Sequence, residues 1–249
     1  MQRIARAIVD VPRPGSWALF LDVDGTLLEI APTPQAVTVD ARLVALIREL
    51  DRASGGAVAL ISGRTIADLD ALFRPLRLPV AGVHGLERRS ALGRLTRPEI
   101  QPAKIARLRH DLRNFADSLG RGLFEDKEYA FALHFRQAPH LEPQIRAGLT
   151  QIIDAATPAF ELLEGDCVIE IKASETNKGG AIDAFMRETP FAGRTPIFIG
   201  NDTTDIDGFA VVQRLKGIAI GVGERVSTDW HLDDPAAVRE WLERLRARD

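Results

Sequence analysis

Leu19-Phe20-Leu21-Asp22-Val23-Asp24-Gly25-Thr26-Leu27 is the stretch whose reading decides the fold. An apolar run without polar alternation reads as a strand buried on both faces, and it stops at two carboxylates, a glycine and a threonine. Aspartates two residues apart where a strand ends project to the same side. Like charges that close are unfavourable unless a cation or a shared proton relieves them. The pair therefore points to a hard divalent metal, to acid–base chemistry, or to both.

The same rhythm continues along the chain. Continuous apolar runs at 57–61, 79–83, 196–199 and 218–221 join the run at 18–23 as expected strands. Helical spacing separates them over 40–50, 66–73, 178–186, 205–215 and 235–245, the last capped by Asp234 with Pro235 at its first position. Non-alternating strands separated by helices imply a doubly wound, Rossmann-like α/β core with a parallel sheet, its ligands outside the carboxyl ends of the strands. The middle of the chain differs. Residues 87–97 are polar and rich in turn formers, 105–119 and 141–155 have amphipathic helical spacing, and 129–136 alternates. With strand signals at 160–163 and 167–172, this predicts an inserted α+β cap domain over 99–176, the core being 1–98 with 177–249.

Composition narrows the function classes. The chain has 249 residues, 45% hydrophobic and 27% charged, with a formal net charge of −3, which argues against nucleic acid as a partner. The basic residues at 239–248 fall on a helical pattern and read as a solvated face. The single cysteine, Cys167, lies in an apolar run and reads as a buried small hydrophobe. With no intrachain disulfide to form, a reducing compartment is expected. Residues 1–14 lack an apolar signal core, and no apolar run has transmembrane length. The expectation is a cytoplasmic protein, monomer or weak dimer, with a small-molecule substrate and no membrane partner. Trp17, Trp230 and Trp241 read as packing residues.

Four clusters fall where strands of the parallel sheet end or a helix begins: Asp22-Val23-Asp24-Gly25-Thr26, Ile61-Ser62-Gly63-Arg64, Asn177-Lys178-Gly179-Gly180 and Gly200-Asn201-Asp202-Thr203-Thr204-Asp205. Together they bring acids, hydroxyls, a lysine and backbone amides to one crevice. That set suits a phosphate ester held against Mg²⁺. No G-x-G-x-x-G follows the first strand, which weighs against a dinucleotide module.

In this order the four clusters resemble the haloacid dehalogenase superfamily, whose members mostly transfer phosphoryl groups through an aspartyl-phosphate. Gly82-Val83-His84-Gly85-Leu86-Glu87, Phe131-Ala132-Leu133-His134-Phe135-Arg136, Cys167-Val168-Ile169-Glu170-Ile171-Lys172 and the fourth cluster are similar to the bacterial trehalose-6-phosphate phosphatases. The resemblance implies a Mg²⁺-dependent hydrolysis of trehalose 6-phosphate in trehalose biosynthesis. It makes Asp22 the nucleophile and Asp24 the proton carrier, with Thr26 and Ser62 binding phosphate oxygens and Lys178 offsetting phosphoryl charge. It assigns Arg64, His84, Glu87, Lys127, His134, Arg136, Glu164 and Glu170 to substrate binding, the inserted domain acting as a lid.

For the metal, the resemblance implies the Asp22 carboxylate, the Asp24 carbonyl and the acid after the glycine of the fourth cluster. Here that position is Asn201, a departure from the family pattern. Either Asn201 ligates with weaker affinity, or Asp202 or Asp205 contributes more. The rival readings are a phosphatase of another sugar phosphate, such as sucrose or mannosyl phosphate, and a catalytically silent sugar phosphate sensor.

Overall fold

The computed structural model describes residues 17–31, 36–97, 101–120, 123–156, 160–165, 167–173 and 176–246. The chain divides into two units, one running to Thr96 and resuming at Asn177, the other spanning Arg97–Thr176.

The first unit opens with β1 (Trp17–Leu21), α1 (Ala41–Ala53), β2 (Val58–Ile61), α2 (Ile66–Leu72), β3 (Val80–Gly82), β4 (Glu87–Arg89) and β5 (Leu95–Thr96). The second contains α3 (Pro102–Leu119), β6 (Phe124–Asp126), β7 (Phe131–His134), α4 (Glu142–Ala156), β8 (Phe160–Gly165) and β9 (Val168–Ala173). The first unit then resumes with α5 (Lys178–Met186), β10 (Thr195–Gly200), α6 (Ile206–Arg214), β11 (Ile218–Val222), β12 (Trp230–Leu232) and α7 (Pro235–Arg246).

Its sheet runs β12-β11-β10-β1-β2-β3-β4-β5. All pairs from β12 to β3 are parallel, and β4 and β5 add an antiparallel edge. The first strand therefore sits between β2 and β10, where the order of the chain reverses. From there the chain leaves β1 for α1 on one face and leaves β10 for α6 on the other, the arrangement that gathers functional groups at the carboxyl ends of strands.

Strand alternation sorts the core into two layers. Trp17, Leu19 and Leu21 share one layer with Leu43, Ile47, Leu69, Val238 and Leu242 of α1, α2 and α7. Ala18, Phe20, Ala59 and Phe198 share the other with Ile182, Phe185 and Phe209 of α5 and α6. Because helices cover both faces, each central strand is apolar throughout. Helices α5 and α6 approach closely: a Cβ on Gly179 would lie 2.5 Å from the Asp207 carbonyl oxygen. That approach fixes the start of α5, where Lys178 stands.

The second unit is a four-stranded antiparallel sheet, β6-β7-β9-β8. Phe131, Leu133, Ile169 and Ile171 pack with Ile105, Leu108 and Leu112 of α3 and Ile145 and Leu149 of α4. The opposite face holds the row Glu125–Ala132–Glu170, set by the register of β6, β7 and β9.

Some expectations need amendment. The turn-rich stretch at 87–97 contains β4 and β5, and the short strands β6 and β12 escape the apolar-run criterion because each has only three residues. The helix expected from 105 starts at Pro102, a proline in the first turn. A 3₁₀ turn, Thr203–Asp205, precedes α6. Cys167 is only partly buried and turns the chain between β8 and β9 with φ 57°. Residues 1–14, on which the signal-sequence expectation rests, lie outside the described residues. Among the described residues no helix is long and apolar enough to cross a membrane.

Gly179→Ala is expected to lower the unfolding free energy by about 1–3 kcal/mol in urea titrations, because it overpacks backbone against backbone. Gly180→Ala is the control, since its Cβ would meet nothing nearer than 3.4 Å. Equal losses in both variants would remove the close-approach explanation.

Candidate active site

The backbone of Asp22 extends the central pairing, its N–H donating to Ile199 O at 3.0 Å. The chain then reverses tightly: Thr26, Leu27 and Leu28 N–H all donate to Val23 O, at 3.3, 2.9 and 3.0 Å. Gly25 makes this turn at φ 80°, a conformation that favours glycine. The turn returns Thr26 to the buried Asp22 side chain, and Thr26 Oγ1 donates to Asp22 Oδ2 at 2.9 Å.

The other carboxylate oxygen, Oδ1, accepts from Lys178 Nζ at 2.7 Å. Lys178 is the first residue of α5, whose N-cap Asn177 accepts from Gly180 N at 2.7 Å. The ammonium also donates to Asp205 Oδ1 at 2.6 Å, and all three side chains are buried. Asp205 Oδ2 accepts from the backbone N–H groups of Asn201 and Asp202, at 2.9 and 3.0 Å. One carboxylate thus orients both the lysine and the loop after β10.

Burial pushes the Asp22 carboxyl up to about 7, against the opposing pull of Lys178 and with help from the charge of Asp205. For Lys178 burial acts downward, but Asp205 and Asp22 outweigh it and hold the ammonium above its usual range. Two carboxylates share one ammonium, so a further cation nearby would favour ionised Asp22.

The residues present fit a hard divalent cation. The inner atom of the Asn201 amide stands 3.0 Å from Asp22 Oδ2 and 3.0 Å from the Asp24 carbonyl oxygen. Octahedral Mg²⁺, about 2.1 Å from each oxygen, sets neighbouring ligand oxygens about 3.0 Å apart. Among the described residues no three His, Cys, Asp or Glu side chains converge on one point. The set here instead combines one carboxylate, one carbonyl and an amide that offers its oxygen when that atom faces inward. Asp205 and Asp202, the alternatives raised above, are engaged elsewhere in this structure. Asp205 is fully buried and engaged by Lys178 and two amides. Asp202 caps the following turn through Thr203 N at 2.7 Å and lies 3.9 Å from Arg225.

Asp24 forms a two-pronged ion pair with Arg64, Nε to Oδ2 and Nη2 to Oδ1, both at 2.7 Å. Arg64 therefore grips the second aspartate in this structure. Ser62 is buried beside it, its Oγ accepting from Arg64 N at 3.2 Å. His84 N donates to Ser62 O at 2.9 Å, and a Cβ on Gly63 would lie 2.6 Å from His84 Nε2, so the ring lies over Gly63. Glu87 is buried and its Oε1 accepts from Ile66 N at 2.9 Å, at the start of α2. That cap gives Glu87 a structural task at the start of α2.

In the second unit, Lys127 and Glu170 pair at 2.8 Å, and His134 and Glu125 at 2.6 Å. Glu125 is a member the sequence reading missed, because β6 is too short to show alternation. Burial would raise its carboxyl, but the His134 hydrogen bond and the Lys127 charge hold it below the usual range. Ala132 lies between Glu125 and Glu170 in the row, leaving the face open for the longer side chains. Glu164 does not join this cluster. It alternates with Leu163, the neighbour of Glu170, so it points to the other face, where it pairs with Arg146 of α4. Arg136 is exposed, two residues beyond His134.

Residues 20–239 match the family model described as trehalose-phosphatase. A protein of Escherichia coli (strain K12) named trehalose-6-phosphate phosphatase is 44% identical over 230 residues, covering 92% of this chain and 86% of its own. A probable trehalose-phosphate phosphatase of Sinorhizobium fredii is 41% identical over 211 residues, covering 85% and 79%. The solved C-terminal domain of the C. albicans trehalose-6-phosphate phosphatase has the same fold, with TM-score 0.81 at 20% identity over 94% of this chain and 93% of that domain.

The raised carboxyl of Asp22 predicts a pH signature in the metal-free protein. A group whose folded pKa exceeds its unfolded value contributes stability below the unfolded value and loses it as pH rises. In EDTA, the stability of the wild type relative to Asp22→Asn is expected to fall as pH rises from about 4 to about 7, as burial opposes ionisation. Parallel denaturation profiles across that window would show that Asp22 is not held protonated.

Proposed function

This chain belongs to the trehalose-phosphatase family, a family of phosphoric monoester hydrolases, and from that premise we propose that it converts trehalose 6-phosphate to trehalose and phosphate. The observation that carries the reading is Asp22: a buried carboxylate at the end of the central strand, held on one oxygen by Lys178 and on the other by Thr26.

The chemistry follows from that arrangement. Asp22 Oδ1, on the Lys178 side, attacks phosphorus, and the bond from phosphorus to the sugar oxygen breaks. Asp24 gives that oxygen a proton, so trehalose leaves neutral and Asp22 carries the phosphoryl group. Asp24, now ionised, takes a proton from water; the water oxygen attacks phosphorus, the bond to Asp22 breaks and phosphate departs. Lys178, Ser62 and Thr26 hold the phosphoryl oxygens, Lys178 offsetting charge that develops in transfer. The Asp22 carboxylate, the Asp24 carbonyl and Asn201 would hold a divalent cation such as Mg²⁺, which would supply positive charge that favours ionised Asp22 and screens the phosphate. Arg64 releases Asp24 when the sugar oxygen takes over as its partner. The reaction stands in trehalose biosynthesis, in the cytoplasm.

Phosphate release from trehalose 6-phosphate is expected with Mg²⁺ and lost in EDTA. Asp22→Asn is expected to abolish turnover while calorimetry still detects substrate binding. Turnover of sucrose or mannosyl phosphates with none of trehalose 6-phosphate would overturn the substrate assignment.

The second unit's cluster serves the disaccharide in this reading, since carboxylates accept from hydroxyls and an ammonium donates to them. Lys127→Ala is expected to raise KM for trehalose 6-phosphate at least tenfold while leaving kcat/KM for p-nitrophenyl phosphate within about threefold, because that ester has no sugar to hold. Equal losses on both esters would remove Lys127 from sugar recognition.

A further inference from the structure

The amide of Asn201 faces a choice that a carboxylate does not. With its nitrogen inward, it donates to Asp22 Oδ2 and the Asp24 carbonyl, both at 3.0 Å, and to Thr26 Oγ1 at 3.2 Å. Thr26 then accepts one hydrogen bond and gives its own proton to Asp22 Oδ2 at 2.9 Å. Two amide hydrogens are then shared among three acceptors, without a cation. With the oxygen inward, three oxygens converge instead, and the one hydroxyl proton of Thr26 faces two acceptors, Asp22 at 2.9 Å and Asn201 at 3.2 Å. That arrangement is unfavourable alone and favourable around a cation.

The two orientations differ by a half-turn of one planar group of nearly unchanged volume. Gly25 makes room for that group, since a Cβ there would lie 2.2 Å from the outer amide atom. The surroundings thus admit either orientation without moving the backbone.

We propose that Asn201 is a two-position ligand. Its nitrogen faces inward and closes the site in the metal-free protein, and its oxygen turns inward when a divalent cation binds. The proposal rests on the metal-dependent reading of this site and deepens it. An aspartate there would set another negative charge 3.0 Å from Asp22 Oδ2, strengthening attraction to a cation and adding repulsion without one. Asn201 therefore weakens metal binding and stabilises the metal-free state. Occupancy then responds to metal concentration over a range where an all-carboxylate site would stay filled.

Titration calorimetry with MgCl₂ and melting in EDTA test this without turnover. Asn201→Asp is expected to bind Mg²⁺ at least tenfold more tightly than wild type and to melt several degrees lower in EDTA. Equal affinity and equal melting would overturn the proposal. An NMR measurement on the wild type guards against a variant that fails to fold without metal. The Asn201 side-chain amide pair, identified as the one missing from Asn201→Ser, is expected to exchange slowly in EDTA and to lose protection as Mg²⁺ is added. A pair unmoved by Mg²⁺ would overturn the switch. If these shifts appear but trehalose 6-phosphate is not hydrolysed, only the substrate assignment fails. If neither wild type nor Asn201→Asp binds Mg²⁺, the metal reading and the switch fail together.

Discussion

One buried ammonium holds the site together. Lys178 bridges Asp22 at the end of β1 and Asp205 in the turn before α6, and none of the three meets water to any extent. Removing one partner from a buried charge cluster strands the others in a medium that solvates them poorly. The geometry therefore depends on the three together. Asp205 passes the constraint on, because its second oxygen fixes the amides of Asn201 and Asp202. Asp22, Lys178 and the loop after β10 are in effect one rigid electrostatic unit.

The charge of that unit is deliberately incomplete. Two carboxylates against one ammonium leave a deficit, and the deficit falls on Asp22, whose ionisation burial opposes. Such a site is poised to take in positive charge. The second aspartate is treated differently: it is half-exposed and gripped by Arg64. Adjacent carboxylates in one motif thus receive opposite environments, the kind of difference that lets two acids take different roles.

Much of this was legible in the sequence, because the core is regular. Continuous apolar runs ending in polar clusters give both the strands and the place where their ends gather. The residues at those ends, Asp22, Ser62, Lys178 and Asn201, are fixed by strand order, so their convergence in one unit follows from the fold. Other features were hidden by distance or brevity. Nothing near Glu87 announces that it caps a helix starting 21 residues earlier. Asp205 looked like a metal ligand because acids near a metal motif look alike, whereas its role depends on backbone amides folding over it. Glu164 and Glu170 looked equivalent until the register of β8 and β9 placed them on opposite faces. Glu125 sat in a strand of three residues, too short for alternation to show.

The neighbour of β1 has a consequence for how the chain is made. On the ribosome, β1 emerges before its partner β10, which follows only after the whole second unit, and Lys178 lies 156 positions beyond Asp22. Until then the central strand has one open edge and its terminal carboxylate has no counter-charge. A nascent chain must keep that edge from pairing elsewhere while the second unit folds on its own local contacts. The Asp22–Lys178 pair is thus completed only after the whole second unit has been made.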